Sequence, residues 1–169
     1  SSTRALRDIT QQYGGQYYAS AVGEVNVVEM MKAKNAVIGG EGNGGVIYPG
    51  LHYGRDALVG IAFILSLLAK RGISLSALRA TYPDYYISKN KIELSPALNL
   101  DKIFEVLKDR FKEEELNEID GLKIDFEEGW VHLRKSNTEP IIRVYSESKS
   151  EQKSKDLAIQ VMNIVQEMA

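Results

Sequence analysis

The chain of 169 residues contains no cysteine. That excludes disulfides, thiolate metal sites and a cysteine nucleophile, and it suits a reducing compartment. Histidine is scarce: His52 and His132 are the two present. A metal site built on them needs further ligands, and no recognisable set stands near either. There is no block of lysine and arginine, and the net charge is -2. The basic face of a duplex binder is therefore absent, so no nucleic-acid partner is expected. Any phosphate bound here has to be held by a local cluster. Long apolar runs are lacking too. The longest, Ala57 to Ala69, is interrupted by Gly60 and Ser66. It falls short of the roughly 20 residues of a membrane span, so it reads as a buried helix. The chain opens at Ser1-Ser2-Thr3-Arg4 with no apolar signal segment, and the expectation is a cytoplasmic protein with no membrane partner.

What is present is the mix of a soluble globular protein, 44% hydrophobic and 26% charged. The length suits one ordinary domain or two small ones. Thr3 to Tyr13 has a helical pattern stopped by Gly14-Gly15. Gln16 to Val22 is a strand candidate, Val25 to Ala33 a helix, and Ala36-Val37-Ile38 a buried strand. Strand, helix, strand in that order predicts an α/β layer with parallel pairing. Asp56 is placed to cap the apolar helix, which Gly72 stops, and Ser74 opens a short helix to Ala80.

The texture changes near Asp84, which divides the chain into residues 1–82 and 83–169. Tyr85 to Leu94 alternates like a strand. Leu100 to Phe111 is an amphipathic helix, with Ile103, Phe104, Leu107 and Phe111 on one side. Leu122 to Phe126, Trp130 to Lys135 and Ile141 to Glu147 read as strands, the first two joined by a hairpin at Glu128-Gly129. A last helix runs from Ser150 to Met168. The fold class expected is α/β, a partial domain with a mixed sheet and helices. A small α+β domain with an antiparallel sheet and two helices follows it.

Two segments carry candidate chemistry. Gly39-Gly40-Glu41-Gly42-Asn43-Gly44-Gly45 has glycine at five of seven positions. Glycine lets backbone approach a ligand closely. The carboxylate of Glu41 offers two acceptors suited to adjacent sugar hydroxyls, with Asn43 able to donate and accept beside it. The alternative is a plain turn between two strands with Glu41 solvated. The second segment is Arg134-Lys135-Ser136-Asn137-Thr138-Glu139-Pro140, with Arg143 following. Two hydroxyls, an amide and two guanidinium forks make an anion nest. Its alternative is a polar hairpin whose arginine and Glu139 pair with each other. His132, between Val131 and Leu133, is expected to face outward from the core. His52, in a loop before the apolar helix, is either surface or a lining residue.

These residues resemble the α-D-phosphohexomutases. Gly40 through Gly45 resembles the family's sugar-binding loop, G-E-x-S-G, with Asn43 where many members have serine. Arg134 through Pro140 resembles its phosphate-binding loop, R-x-S-N-T-E-P. Val22-Gly23-Glu24-Val25-Asn26 resembles the loop that closes over the sugar, with Glu24 where some members have histidine. The resemblance covers essentially the whole chain and implies a third domain, its opening strand missing, followed by the fourth. It implies that Glu41, Asn43, Gly23, Glu24, His52 and Arg55 serve the sugar and that Arg134, Ser136, Asn137, Thr138 and Arg143 grip phosphate. The family interconverts hexose 1- and 6-phosphates through a phosphoserine and a bisphosphate intermediate. Neither its S-H-N-P serine motif nor its D-x-D-x-D-R magnesium motif occurs in this sequence. The expectation is thus an inactive, substrate-binding part of an enzyme whose Mg2+ site lies elsewhere in the parent. A free-standing sugar-phosphate binding module and a purely structural domain are the competing readings. An uncovered sheet edge makes dimerisation of the fragment a further expectation.

Overall fold

The computed structural model describes residues 2–94, 99–136 and 138–168. The chain divides into two compact units, Ser1–Asp84 and Tyr85–Ala169.

In the first unit, α1 (Ala5–Gln12) ends where Gly14 takes a φ of 73°. Next, α2 (Glu24–Lys34) starts after Gly23 and stops at Asn35 in the left-handed region. Three short strands follow: β1 (Gly39–Glu41), β2 (Gly45–Tyr48) and β3 (His52–Arg55). They form an antiparallel sheet in that order. Then come α3 (Ala57–Arg71) and α4 (Leu75–Arg79), each capped as its sequence predicts. The Asp56 carboxylate accepts from the Val59 N–H at 3.1 Å, and Ser74 Oγ accepts from the Ala77 N–H at 3.2 Å.

The mixture of helices and sheet is as expected, but three local readings are corrected. Gln16 to Val22 forms no strand. Ala36 to Ile38 is not a buried strand either: Val37 is 79% exposed. The left-handed turn at Asn35 throws this segment outward, and pairing begins only at Gly39. With those two elements gone, the parallel pairing they implied is replaced by an antiparallel meander. The third correction concerns α3. Of its residues only Val59 is buried, while Leu58, Ile61 and Leu65 stand exposed along one side. A sheet of three short strands covers one stripe of a helix, and α3 is apolar all round.

The second unit fits its sequence closely. Strands β4 (Tyr86–Glu93), β5 (Glu115–Asn117), β6 (Leu122–Phe126), β7 (Gly129–Lys135) and β8 (Ile141–Ser148) form one antiparallel sheet in the order β4-β8-β7-β6-β5. Helices α5 (Leu100–Arg110) and α6 (Glu151–Gln166) supply one side of the core. Ile103, Leu107, Leu157 and Val161 pack with Leu122, Ile124, Val131, Leu133, Ile142 and Val144. Alternation along β8 puts Ile142 and Val144 on that helix face and Arg143 and Tyr145 on the other. His132 lies on the other face, away from the helices as expected, yet it is buried rather than solvated. The same face holds Trp130, whose Nε1–H donates to the buried Glu147 Oε1 at 2.9 Å.

Candidate functional site

In the first unit the glycine loop is the tip of the β1–β2 hairpin. Glycine is required at two points. A Cβ at Gly40 would collide with the Gly45 carbonyl oxygen, and Gly44 has a φ of 91°. Asn43 Oδ1 accepts from the Gly45 N–H at 3.1 Å, which sets the side chain against its own turn. A Cβ at Gly45 would stand 2.8 Å from Arg55 Cδ and 3.2 Å from Asn43 Oδ1, so its absence lets Arg55 pass beside the loop.

Five of the six expected sugar-site residues meet here. Glu41 Oε1 accepts from the Gly23 N–H at 3.2 Å, joining the loop to the start of α2. Gly23 reaches that position with a φ of 119°. Glu24 Oε2 pairs with Arg55 Nε at 2.8 Å, and its other oxygen accepts from the Arg55 N–H at 3.4 Å. A carboxylate paired in this way holds Arg55 in place. His52 stands apart from this group: its Nδ1 accepts from the Gly54 N–H at 3.1 Å, and its Nε2 lies 3.3 Å from Asp56 Oδ2. The Val59 N–H, aided by His52, holds the Asp56 carboxyl below its ordinary value. His52 thereby braces the entry of α3.

In the second unit the candidate phosphate loop closes the β7–β8 hairpin. The Ser136 N–H donates to the Ile141 carbonyl at 2.9 Å, and the Thr138 N–H donates to Ser136 Oγ at 3.4 Å. The hydroxyls of Ser136 and Thr138 lie 3.4 Å apart, Ser136 buried and Thr138 exposed. Asn137 lies outside the described residues. Arg134 and Arg143 are directly opposed across β7 and β8, so both guanidinium groups leave the same face of the sheet. Each already has a carboxylate partner. Arg134 Nη1 is 3.4 Å from Asp120 Oδ2, and Arg143 Nη2 is 3.1 Å from Glu139 Oε2. The pairing with Glu139 is the one the polar-hairpin reading foresees. Arg143 Nη1 also donates to the Tyr145 hydroxyl at 3.4 Å, and this bond first, then Glu139, holds the guanidinium above its ordinary value.

Sequence reasoning missed Asp120 and Tyr145. Tyr145 was within reach of it, since it stands two residues beyond Arg143 on an alternating strand. Asp120 lies in the β5–β6 connection, and only the register of the sheet brings it to Arg134. Among the described residues no group of three or more histidine, aspartate or glutamate side chains is placed to hold a metal ion, so these residues do not fit a magnesium site. No helix is long and apolar enough to cross a membrane, among the described residues.

Residues 1–85 match the family model for phosphoglucomutase/phosphomannomutase, alpha/beta/alpha domain III. Residues 89–164 match that for the phosphoglucomutase/phosphomannomutase C-terminal domain. A phosphoglucosamine/phosphogalactosamine mutase of Sulfurisphaera tokodaii is 33% identical over 98% of this chain and 37% of its own length. A phosphoglucomutase/phosphomannomutase of Thermococcus kodakarensis is 37% identical over 92% of this chain and 34% of its own length. The crystal structure of a phosphoglucomutase/phosphomannomutase family protein from Burkholderia thailandensis superposes with a TM-score of 0.79 at 25% identity, over 98% of this chain and 36% of that one. This chain thus spans about a third of the length of these relatives. With one model on each compact unit, the chain belongs to the phosphoglucomutase/phosphomannomutase family and corresponds to its domain III and C-terminal domain.

Proposed function

We propose that this chain is the substrate-holding part of a phosphohexomutase, which interconverts hexose 1-phosphate and hexose 6-phosphate. In the parent, a phosphoserine gives its phosphoryl group to a sugar hydroxyl. The bisphosphate turns round, and its other phosphoryl group returns to the serine. Such transfer depends on positioning and charge stabilisation. In this reading Arg134, Ser136, Asn137, Thr138 and Arg143 grip the phosphate that does not react. Glu41 and Asn43 take ring hydroxyls, with Gly23, Glu24 and Arg55 beside them. The observation that carries the reading is the pair of opposed arginines flanking a hydroxyl-bearing turn. Magnesium, which would shield phosphoryl charge in the parent, belongs to residues beyond this chain, and so does the serine. The chain alone binds and does not turn over, and the parent works in the cytoplasm. Self-association of the chain through a strand edge of the first sheet is part of this proposal, and light scattering checks it.

Titration calorimetry of the chain with glucose 1-phosphate, glucosamine 6-phosphate and mannose 1-phosphate tests the reading. Binding of at least one, with no mutase turnover, is expected. Arg134→Ala removes a charge-assisted contact of roughly 1.5–3 kcal/mol and weakens binding accordingly. A change below about twofold, far short of the roughly tenfold or more that this range implies, would contradict the assignment of the loop.

A further inference from the structure

The register of three neighbouring strands puts a third cation beside the phosphate loop. Lys91 on β4 is opposite Arg143 on β8, and Arg143 is opposite Arg134 on β7. Directly opposed residues project from the same face, with Cβ atoms about 4.5–5.5 Å apart. Lys91, Arg143 and Arg134 therefore form one row across the sheet, next to its loop end. The end of β4 is tied to the loop itself, because the Leu94 N–H donates to the Pro140 carbonyl at 2.8 Å.

Like charges opposed in this way are destabilising. The row is tolerated because each cation holds one carboxylate: Glu93 on Lys91 at 2.9 Å, Glu139 on Arg143 at 3.1 Å, and Asp120 on Arg134 at 3.4 Å. Glu139 also favours the charged form of Lys91, after the larger effect of Glu93. The two carboxylates at the Lys91 and Arg143 end are open to water, the side chains of Glu93 and Glu139 being 71% and 54% exposed. Exposed pairs of this kind are weak and exchange readily. A phosphoryl dianion has three terminal oxygens and two charges, enough to replace both carboxylates.

Resting on the phosphate-loop reading above, we infer that Lys91 is a third cationic ligand of the bound phosphoryl group. Glu93 and Glu139 occupy Lys91 and Arg143 until that anion arrives. Lys91 supplies a point charge on a flexible stem, where the arginines supply fixed forks. The site then discriminates a phosphate monoester from a neutral sugar by charge as well as by geometry.

The test is calorimetric titration of the whole 169-residue chain with glucose 1-phosphate and, separately, inorganic phosphate at fixed ionic strength. The variants are Lys91→Met, Lys91→Arg, Glu93→Gln and Arg134→Ala, with thermal unfolding as a check on folding. Lys91→Met is expected to weaken both ligands about fivefold, the upper end of what one exposed charge supplies. Lys91→Arg restores most of that loss. Glu93→Gln tightens binding, which loss of a merely structural contact would not do. If Lys91→Met binds like the parent chain while Arg134→Ala weakens, the role of Lys91 is overturned and the loop assignment stands. If Arg134→Ala has no effect, or no variant binds either ligand at millimolar concentration, the loop assignment fails and the role of Lys91 with it.

Discussion

His132 is the residue whose protonation this fold opposes. It is 8% exposed, and its Nε2 lies 2.5 Å from the Asp120 carbonyl, where a neutral ring donates an N–H. Burial, only partly offset by that bond, holds the imidazole below its ordinary value. The consequence for stability has a definite sign. In the unfolded chain the ring takes up a proton near pH 6.5, while the folded chain resists it. Stability is therefore full above about pH 6.5 and falls as pH drops from there towards the folded value, then levels. Urea unfolding at pH 7.5 and 5.5 should show the acid loss, and His132→Gln, which keeps a donor for Asp120, should reduce it. An equal loss in both proteins would place the effect elsewhere. At this scale the sequence was partly legible. That His132 points away from the helices followed from alternation. Its burial did not, because alternation assigns a face and not what covers that face. Likewise the arginines of the candidate phosphate loop were visible as residue types, but the carboxylate partner of Arg134, Asp120, was set by sheet register, a long-range property.

Among the elements, those with a strong period and a cap were legible and those made of glycine were not. Helix α6 shows both signals. Leu157, Val161 and Ile164 recur at steps of four and three and are all buried, and Ser150 Oγ accepts from the Lys153 N–H at 3.0 Å. Ser150→Ala removes that cap and should cost about 1 kcal/mol, read as a lower urea midpoint with an unchanged slope. An unchanged midpoint would mean that the helix start is held by packing alone. Strands β1 and β3 had no such signal. Gly39-Gly40-Glu41 carries almost no side-chain pattern, so it read as loop. In the other direction, Ala36 to Ile38 read as strand because it is apolar, and the left-handed turn at Asn35 overrode it. Strand β5, Glu115–Asn117, is too short to show a period. Glu41 and Asn43, proposed above for the sugar, were nonetheless singled out in that poorly legible stretch, because glycine surrounds a lone carboxylate there.

Across the whole molecule, the two units differ in how far their own residues fill a core. The second unit has a continuous cluster in which Ile103, Leu107, Leu122, Val131, Ile142 and Val161 are fully buried. The first leaves Leu58, Ile61 and Leu65 of α3 in water. This contrast belongs to a chain spanning about a third of the length of its relatives, and it makes the second unit the better candidate for binding that survives in isolation. The proposed function assigns phosphate to one loop and sugar hydroxyls to another. The most direct test is an amide nitrogen–proton chemical-shift titration of the chain, run once with inorganic phosphate and once with glucose 1-phosphate. Phosphate should move the amides of residues 134–143 and leave residues 39–45 in place. Glucose 1-phosphate should move both sets, together with Gly23 and Glu24. Shifts that avoid residues 134–143 with both ligands, or a sugar phosphate that perturbs nothing beyond what phosphate does, would contradict it.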